Sequence, residues 1–359
     1  MKIDAIVLSY KREGNLPKVI KGLIKQSIID KIYVFHNYPS KKKFNNCINI
    51  YSDSNFRCIA RHAIGLLTDK KYVMFVDDDI ELKSDLSEKI KKAVKYDSKA
   101  IIGLYGINVH YSSNNNNLYN DKYRCEYSKY LRYVDIVKGR VHVVKKEHLI
   151  FLFDYLNKMK DKLDSTSDDL YLNLASQLKN KTPSLIIPLD KREIKELPDS
   201  FGLNKRSDHT KRRSRLVNKF IKNGWKSLVN TKKYYLINKK LGGSNFIIDN
   251  IKLHLEDNND LILNKLFNDI KINNVPNIYI YNYAGILKRK GSYPKSLKYY
   301  KRVLKTKSED KLKGLACYHM GEIYLRTNKI KKANSHLKSC IKYIPDHKAA
   351  KELLKNIVF

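Results

Sequence analysis

The chain has 359 residues, 42% of them hydrophobic, which is enough for one large domain and a smaller one. Lys and Arg outnumber Asp and Glu by 72 to 36, so the net charge of +36 points either to a polyanionic partner, nucleic acid included, or to a solvated surface in a Lys- and Asn-rich sequence. No apolar run approaches the ~18 residues of a membrane span, and five scattered cysteines without CxxC spacing argue against a disulfide framework or a zinc site. A cytoplasmic protein with no transmembrane segment is expected.

The first stretch, "IDAIVLSY" (3–10), reads as a buried strand rather than the core of a signal peptide. "NLPKVIKGLIKQ" (15–26) has helical spacing with Pro17 in its first turn. "KIYVFHN" (31–37) and "INIYS" (48–52) read as strands, "FRCIARHAIGLL" (56–67) as a helix and "YVMFVDDD" (72–79) as a strand again. This β-α-β-β-α-β order implies an α/β domain, a mostly parallel Rossmann-like sheet sandwiched by helices. Ligands of such sheets sit beyond the carboxyl ends of the strands, where Tyr10, Asn37, Asp53 and Asp77–Asp79 fall.

Three carboxylates ending a buried strand suggest a hard divalent cation, Mn²⁺ or Mg²⁺. Strand alternation would turn Asp77 and Asp79 one way, toward metal and ribose, and Asp78 the other. The same residues could instead be a loop leading to an acidic helix start. Further on, "HYSSNNNNLYNDKY" (110–123) reads as a loop with little chemistry. Gly139, just before the strand in "DIVKGRVHVV" (135–144), either lets a substrate approach the backbone or shapes a turn. Asp168 and Asp169 begin the helix "LYLNLASQL", either both as favourable charges at its N-terminus or with Asp169 as an acceptor-side carboxylate. His209 and Arg213 share a face of the helix "HTKRRSRLVNKFI", where Arg213 suits phosphate oxygens and the bland alternative is a basic surface helix.

The pattern changes from about residue 277. "NIYIYNYAGILKRKGSYPKSLKYY" recurs 37 residues later as "GLACYHMGEIYLRTNKIKKANSHL", aligning Ala284 with Gly321, Leu287 with Tyr324, Gly291 with Asn328, Ser296 with Ala333 and Tyr300 with Leu337. Small residues at these spacings let helix pairs pack closely, so this part resembles tetratricopeptide repeats with a final capping helix. Such repeats imply a protein partner or a homodimer.

"VDDDIEL" after the β-α-β pattern resembles the Asp-x-Asp motif of GT-A glycosyltransferases, and most closely the exostosin C-terminal type of family 64. "IVLSYKRE" (6–13), "IYVFHNYPS" (32–40), "STSDDLYLNLAS" (165–176) and "DHTKRRSRLVNKF" (208–220) match further family segments in order, the last through His209, Arg213, Ser214, Asn218 and Phe220. Lys11 and Asp168 depart from the family pattern, and its disulfide cysteines are absent. The resemblance implies a GT-A domain over 1–230, a helical linker over 231–276 and helical repeats over 277–359. It also implies a metal-dependent, retaining transfer of N-acetylhexosamine from a UDP-sugar to a saccharide or protein acceptor. Asp79 and Asp77 would hold the metal; Tyr10, Arg12, Asn37, Asn55, Arg57, Asp77 and His209 would bind the donor; Asp169, Asp78 and Arg213 would be catalytic. Two rivals belong to other classes: a transferase or binding protein acting on nucleic acid, and a non-catalytic repeat scaffold.

Overall fold

The structure is a computed structural model that describes residues 1–109, 118–120, 124–159, 167–199, 207–257, 259–269 and 274–357. It divides into two compact units, Met1–Gly242 and Gly243–Phe359. In the first, β1 (Ile3–Ser9) is buried at every position, because it lies between β2 (Ile29–His36) and β4 (Tyr72–Asp77), both parallel to it, in the middle of an eight-stranded sheet. Beyond β2 comes β3 (Ile48–Tyr51), also parallel. Beyond β4 the order continues with Val141–Lys145, Ile102–Gly103, Ser184–Ile186 and Arg132–Val134. Val141–Lys145 runs antiparallel to β4 and Ile102–Gly103, and Arg132–Val134 antiparallel to Ser184–Ile186, so the sheet is mostly parallel, as its βαβ spacing predicts.

Alternate residues of β1 feed two cores. Ile3, Ala5 and Val7 pack with Leu16, Val19 and Leu23 of α1 (Leu16–Ile24) on one face. Ile6 and Leu8 join, on the other, a core that includes α2 (Ala60–Leu66), α4 (Lys146–Lys158), α5 (Asp168–Asn180) and α6 (His209–Lys222), while α3 (Ser87–Tyr96) belongs to the first face. Every strand and helix expected before residue 80 forms. The one difference is that β4 stops at Asp77, and the chain turns through Asp78 and Asp79 before the short strand Ile80–Leu82. The alternation expected across the three aspartates therefore does not reach the second and third. The expected loop over 110–123 lies largely outside the described residues.

The stretch 231–276 carries α7 (Lys232–Gly242), which belongs to the first unit, then α8 (Ser244–Glu256) and α9 (Asp260–Asp269) in the second. The described elements of the second unit are all helices, continuing with α10 (Asn277–Arg289), α11 (Tyr293–Lys305), α12 (Asp310–Arg326), α13 (Ile330–Tyr343) and α14 (Lys348–Lys355). The pairs α10–α11 and α12–α13 repeat as the sequence offset requires. Gly291 and Asn328, at matching positions in the two connecting turns, both take left-handed φ, 74° and 54°. Ser296 and Ala333, also matched, are both fully buried. The last helix, α14, buries Ala350 beside Leu337 and Cys340. All five cysteines are free, and among the described residues no helix is long and apolar enough to cross a membrane.

Candidate active site

Parallel register brings the strand ends together. Leu8 pairs with Asp77 across β1 and β4, and Ser9 with His36 across β1 and β2. Tyr10, Asn37 and Asp78 consequently stand one residue past the sheet, on one edge. Asp78 commits both carboxylate oxygens there: the Tyr10 backbone N–H donates to Oδ2 at 2.9 Å and Arg12 Nη1 to Oδ1 at 2.7 Å. The same Arg12 nitrogen donates to Asp79 Oδ2 at 2.9 Å, and Arg12 Nη2 lies 3.1 Å from Asp199 Oδ1. Asp78 and Asp79 thus share one guanidinium, whereas Asp77 turns to another.

That second guanidinium is Arg61, which sequence reading left inside an ordinary helix. Arg61 Nη1 donates to Asp77 Oδ1 at 2.6 Å and to the Gly139 carbonyl at 3.2 Å, and Nε donates to Asp168 Oδ2 at 2.9 Å. The like charges that end β4 are therefore offset by two arginines distant in sequence. The compensation is partial: burial pushes the carboxyls of Asp77 and Asp78 up to about 7, against the pull of Arg61 and of Arg12, and burial also raises that of Asp79. Behind Arg61, burial and its positive charge hold the imidazoles of His62 and His142 far below the usual histidine range, so both stay neutral.

The opposite wall comes from α5 and α6. Asp169 Oδ1 accepts the Leu170 N–H at 2.9 Å, and Oδ2 accepts Arg213 Nη2 at 2.7 Å and the Gly139 N–H at 3.3 Å. The neighbouring Arg213 outweighs burial and holds this carboxyl down at about 2. Arg213 lies over the Tyr119 ring, 4.4 Å from its centroid. Ser214 fixes that tyrosine by accepting its backbone N–H at 3.1 Å. Asn173 faces inward and ties α5 to Val137 through both its amide groups, while Phe220 stacks on Tyr155 in the core. Gly139 lies in the turn that leads into Val141–Lys145, one of the two roles expected of it, and it has a further one. A Cβ there would lie 2.7 Å from Arg61 Nη2 and 3.5 Å from Asp169 Cβ, so the missing side chain makes room for the arginine.

One cavity of about 490 Å³ is lined by every site residue the sequence nominated: Tyr10, Arg12, Asn37, Asn55, Arg57, Asp77, Asp78, Asp79, Asp169, His209 and Arg213. Asp53, at the same sheet edge, is exposed and stands outside this lining. Asn37 is almost wholly buried and spends its amide on the 55–57 turn: Nδ2 donates to Asn55 Oδ1 at 3.0 Å, and Oδ1 accepts the Phe56 N–H at 2.8 Å. The lining also includes Arg61, Asp168, Tyr119, Lys138, Arg140 and Asp199, none of them nominated. For Arg61 a signal existed, since an Arg-His pair on the apolar face of a short helix needs buried partners.

Asp79 Oδ1 is buried with no hydrogen-bond partner, and a hard cation takes up such an atom. Among the described residues, no three or more His, Cys, Asp or Glu side chains are grouped as a self-sufficient metal cage. Asp79 Oδ1 is thus one ligand such an ion could take, with its remaining ligands to come from outside this group. Compared with known families, residues 3–236 match the model of the glycosyl transferase family 64 domain. No curated protein matches the chain.

Proposed function

We propose metal-assisted sugar transfer for this chain, which belongs to glycosyl transferase family 64: an N-acetylhexosamine passes from a UDP-sugar to a saccharide or protein acceptor with retention of configuration. The observation that supports this reading is the meeting of Asp77–Asp79 with the Asp169–Arg213 pair around a single cavity of small-molecule size. Asp79, with Asp77 beside it, would hold Mn²⁺ or Mg²⁺. Bound there, the ion supplies positive charge against the departing diphosphate.

The chain's own residues do the rest. Tyr10, Asn55 and Arg57 shape the nucleoside end, with Asn37 acting through the turn it braces. Asp78 works at one remove, holding Arg12 and the end of β1. His209 and Arg213 add donors on the diphosphate side. Asp169, kept ionised down to about pH 2 by Arg213, is a poor proton acceptor near neutrality. Its part is to fix the acceptor hydroxyl by hydrogen bonding and to offset positive charge growing at the anomeric carbon. The acceptor oxygen bonds to that carbon as the bond to the diphosphate oxygen breaks on the same face, and the acceptor's proton leaves on the diphosphate.

Hydrolysis of a panel of sugar nucleotides, with and without Mn²⁺, tests the reading. Turnover of a UDP-N-acetylhexosamine that needs Mn²⁺ and falls ~100-fold or more in Asp79→Ala is expected. An Asp79→Ala protein as active as wild type would remove the metal assignment. Failure to bind or turn over any sugar nucleotide would remove the transfer itself.

A further inference from the structure

Arg12 is held by more negative charge than one guanidinium requires. Its Nη1 bridges Asp78 and Asp79 and its Nη2 reaches Asp199, while Nε is buried with no partner. Asp79 divides its two oxygens in a complementary way: Oδ2 belongs to Arg12 and Oδ1 is buried and unpartnered. Arg12 lies on the connection between β1 and α1, immediately after Lys11, whose φ of 60° is a left-handed conformation that costs a non-glycine residue energy. Arg12 thus combines a strained connection, an unpartnered buried Nε and a carboxylate neighbour whose second oxygen is open to a cation.

We infer that Arg12 is a competing counter-charge for Asp79, so that a divalent cation engaging that carboxylate displaces the guanidinium and turns it toward the donor. This inference rests on the metal-assisted reading above and adds an order to it. Arg12 sets the threshold for cation entry, keeping affinity for the bare ion low. Donor phosphates, which bring their own ligands to the ion and accept the released guanidinium, raise that affinity. Cation and donor then bind with positive coupling, and the coupling runs through Arg12.

Mn²⁺ alone, titrated into the full chain and followed by the electron paramagnetic resonance of the free ion, tests this without reference to turnover. Arg12→Gln, which removes the charge and keeps polarity, should bind Mn²⁺ at least ~10-fold more tightly than wild type. Arg12→Lys, which keeps the charge, should stay within about twofold. Equal or weaker binding by Arg12→Gln, with binding still lost in Asp79→Ala, overturns the competition and leaves the metal-assisted reading standing. No binding by wild type or any variant, with or without UDP, overturns both. A second measurement needs no variant to fold: phenylglyoxal labelling of wild-type arginines, mapped by mass spectrometry with buried Arg61 as reference. Mn²⁺ should speed labelling of Arg12 severalfold, whereas unchanged or slower labelling means the guanidinium has not moved.

Discussion

A guanidinium as deeply buried as that of Arg61 must be satisfied on most sides, because an unpaired buried charge costs several kcal/mol. Asp77, Asp168 and the Gly139 carbonyl meet this need, and in doing so they lock the end of β4 to the start of α5. Arg61 thereby sets the distance between the proposed donor-side and acceptor-side carboxylates. Gly139 is where this lock can be forced. Its Cβ would come 2.7 Å from Arg61 Nη2, an atom held by partners rather than the free end of a flexible chain. Gly139→Ala should therefore lower kcat by ~10- to 100-fold through misplacement of about an ångström, while overpacking costs about 1–3 kcal/mol of stability. Steady-state kinetics beside urea unfolding separates the two effects. Unchanged kcat would mean that Arg61 does not transmit its position to the site. The residue-level reading from sequence reached the carboxylates because three in a row after an apolar strand are conspicuous. It missed Arg61 as a partner of Asp77, because the Arg-His pair on the apolar face of its helix signals burial without naming the carboxylates it meets.

At the scale of elements, period and offset carried the reading. β1 through β4 were legible as apolar runs punctuated by polar ends, and the repeat pairs were legible because Gly291 and Asn328 are both residue types that tolerate a left-handed turn. What has no such periodicity was not legible, and the clearest case is Asp135, which joins elements far apart in sequence. It accepts the Val109 N–H at 2.9 Å and the Ser227 hydroxyl at 2.8 Å, and so pins the segment after α6 to the sheet. Burial pushes its carboxyl up from 3.8 to about 6 despite these donors. Below about pH 4 the group is protonated in both folded and unfolded chains. Between 4 and 6 the folded protein keeps a proton that the unfolded chain has released, so this group's contribution to stability falls as pH rises and levels off above about 6. A shift of this size corresponds to about 3 kcal/mol. Asp135→Asn should lack this component. The difference in unfolding free energy between wild type and variant, measured in urea from pH 4 to 7, should move by up to that amount. A difference that stays constant across the window would show that Asp135 does not titrate there.

At the scale of the molecule, the question is where the catalytic unit ends. Every residue lining the cavity precedes residue 214, and the matched family domain reaches residue 236. The compact unit extends to Gly242, however, because α7 belongs to it. The family resemblance in the sequence spans only about residues 1–230, short of α7. Its contribution rests on two side chains. Tyr234 packs its ring 5.0 Å from that of Tyr133 in the core below the sheet. Asn238 bonds the backbone of the same Tyr133 from both ends, accepting its N–H at 2.8 Å and donating to its carbonyl at 3.0 Å. That tyrosine sits on the outermost strand of the sheet, so α7 both covers the edge and satisfies its backbone. A chain ending at Gly242 should unfold in a single transition and keep sugar-nucleotide turnover within about twofold of the full protein, since its cavity is intact. A chain ending at Asn230 should lose about 3 kcal/mol from the burial of Tyr234 and the two Asn238 bonds, and the freed edge should make it prone to aggregate. Urea midpoints of the two chains, read beside their turnover, decide between the boundaries. Equal midpoints would place the end of the unit at 230, and an unfolded 1–242 chain would mean that the catalytic unit depends on the helices that follow it.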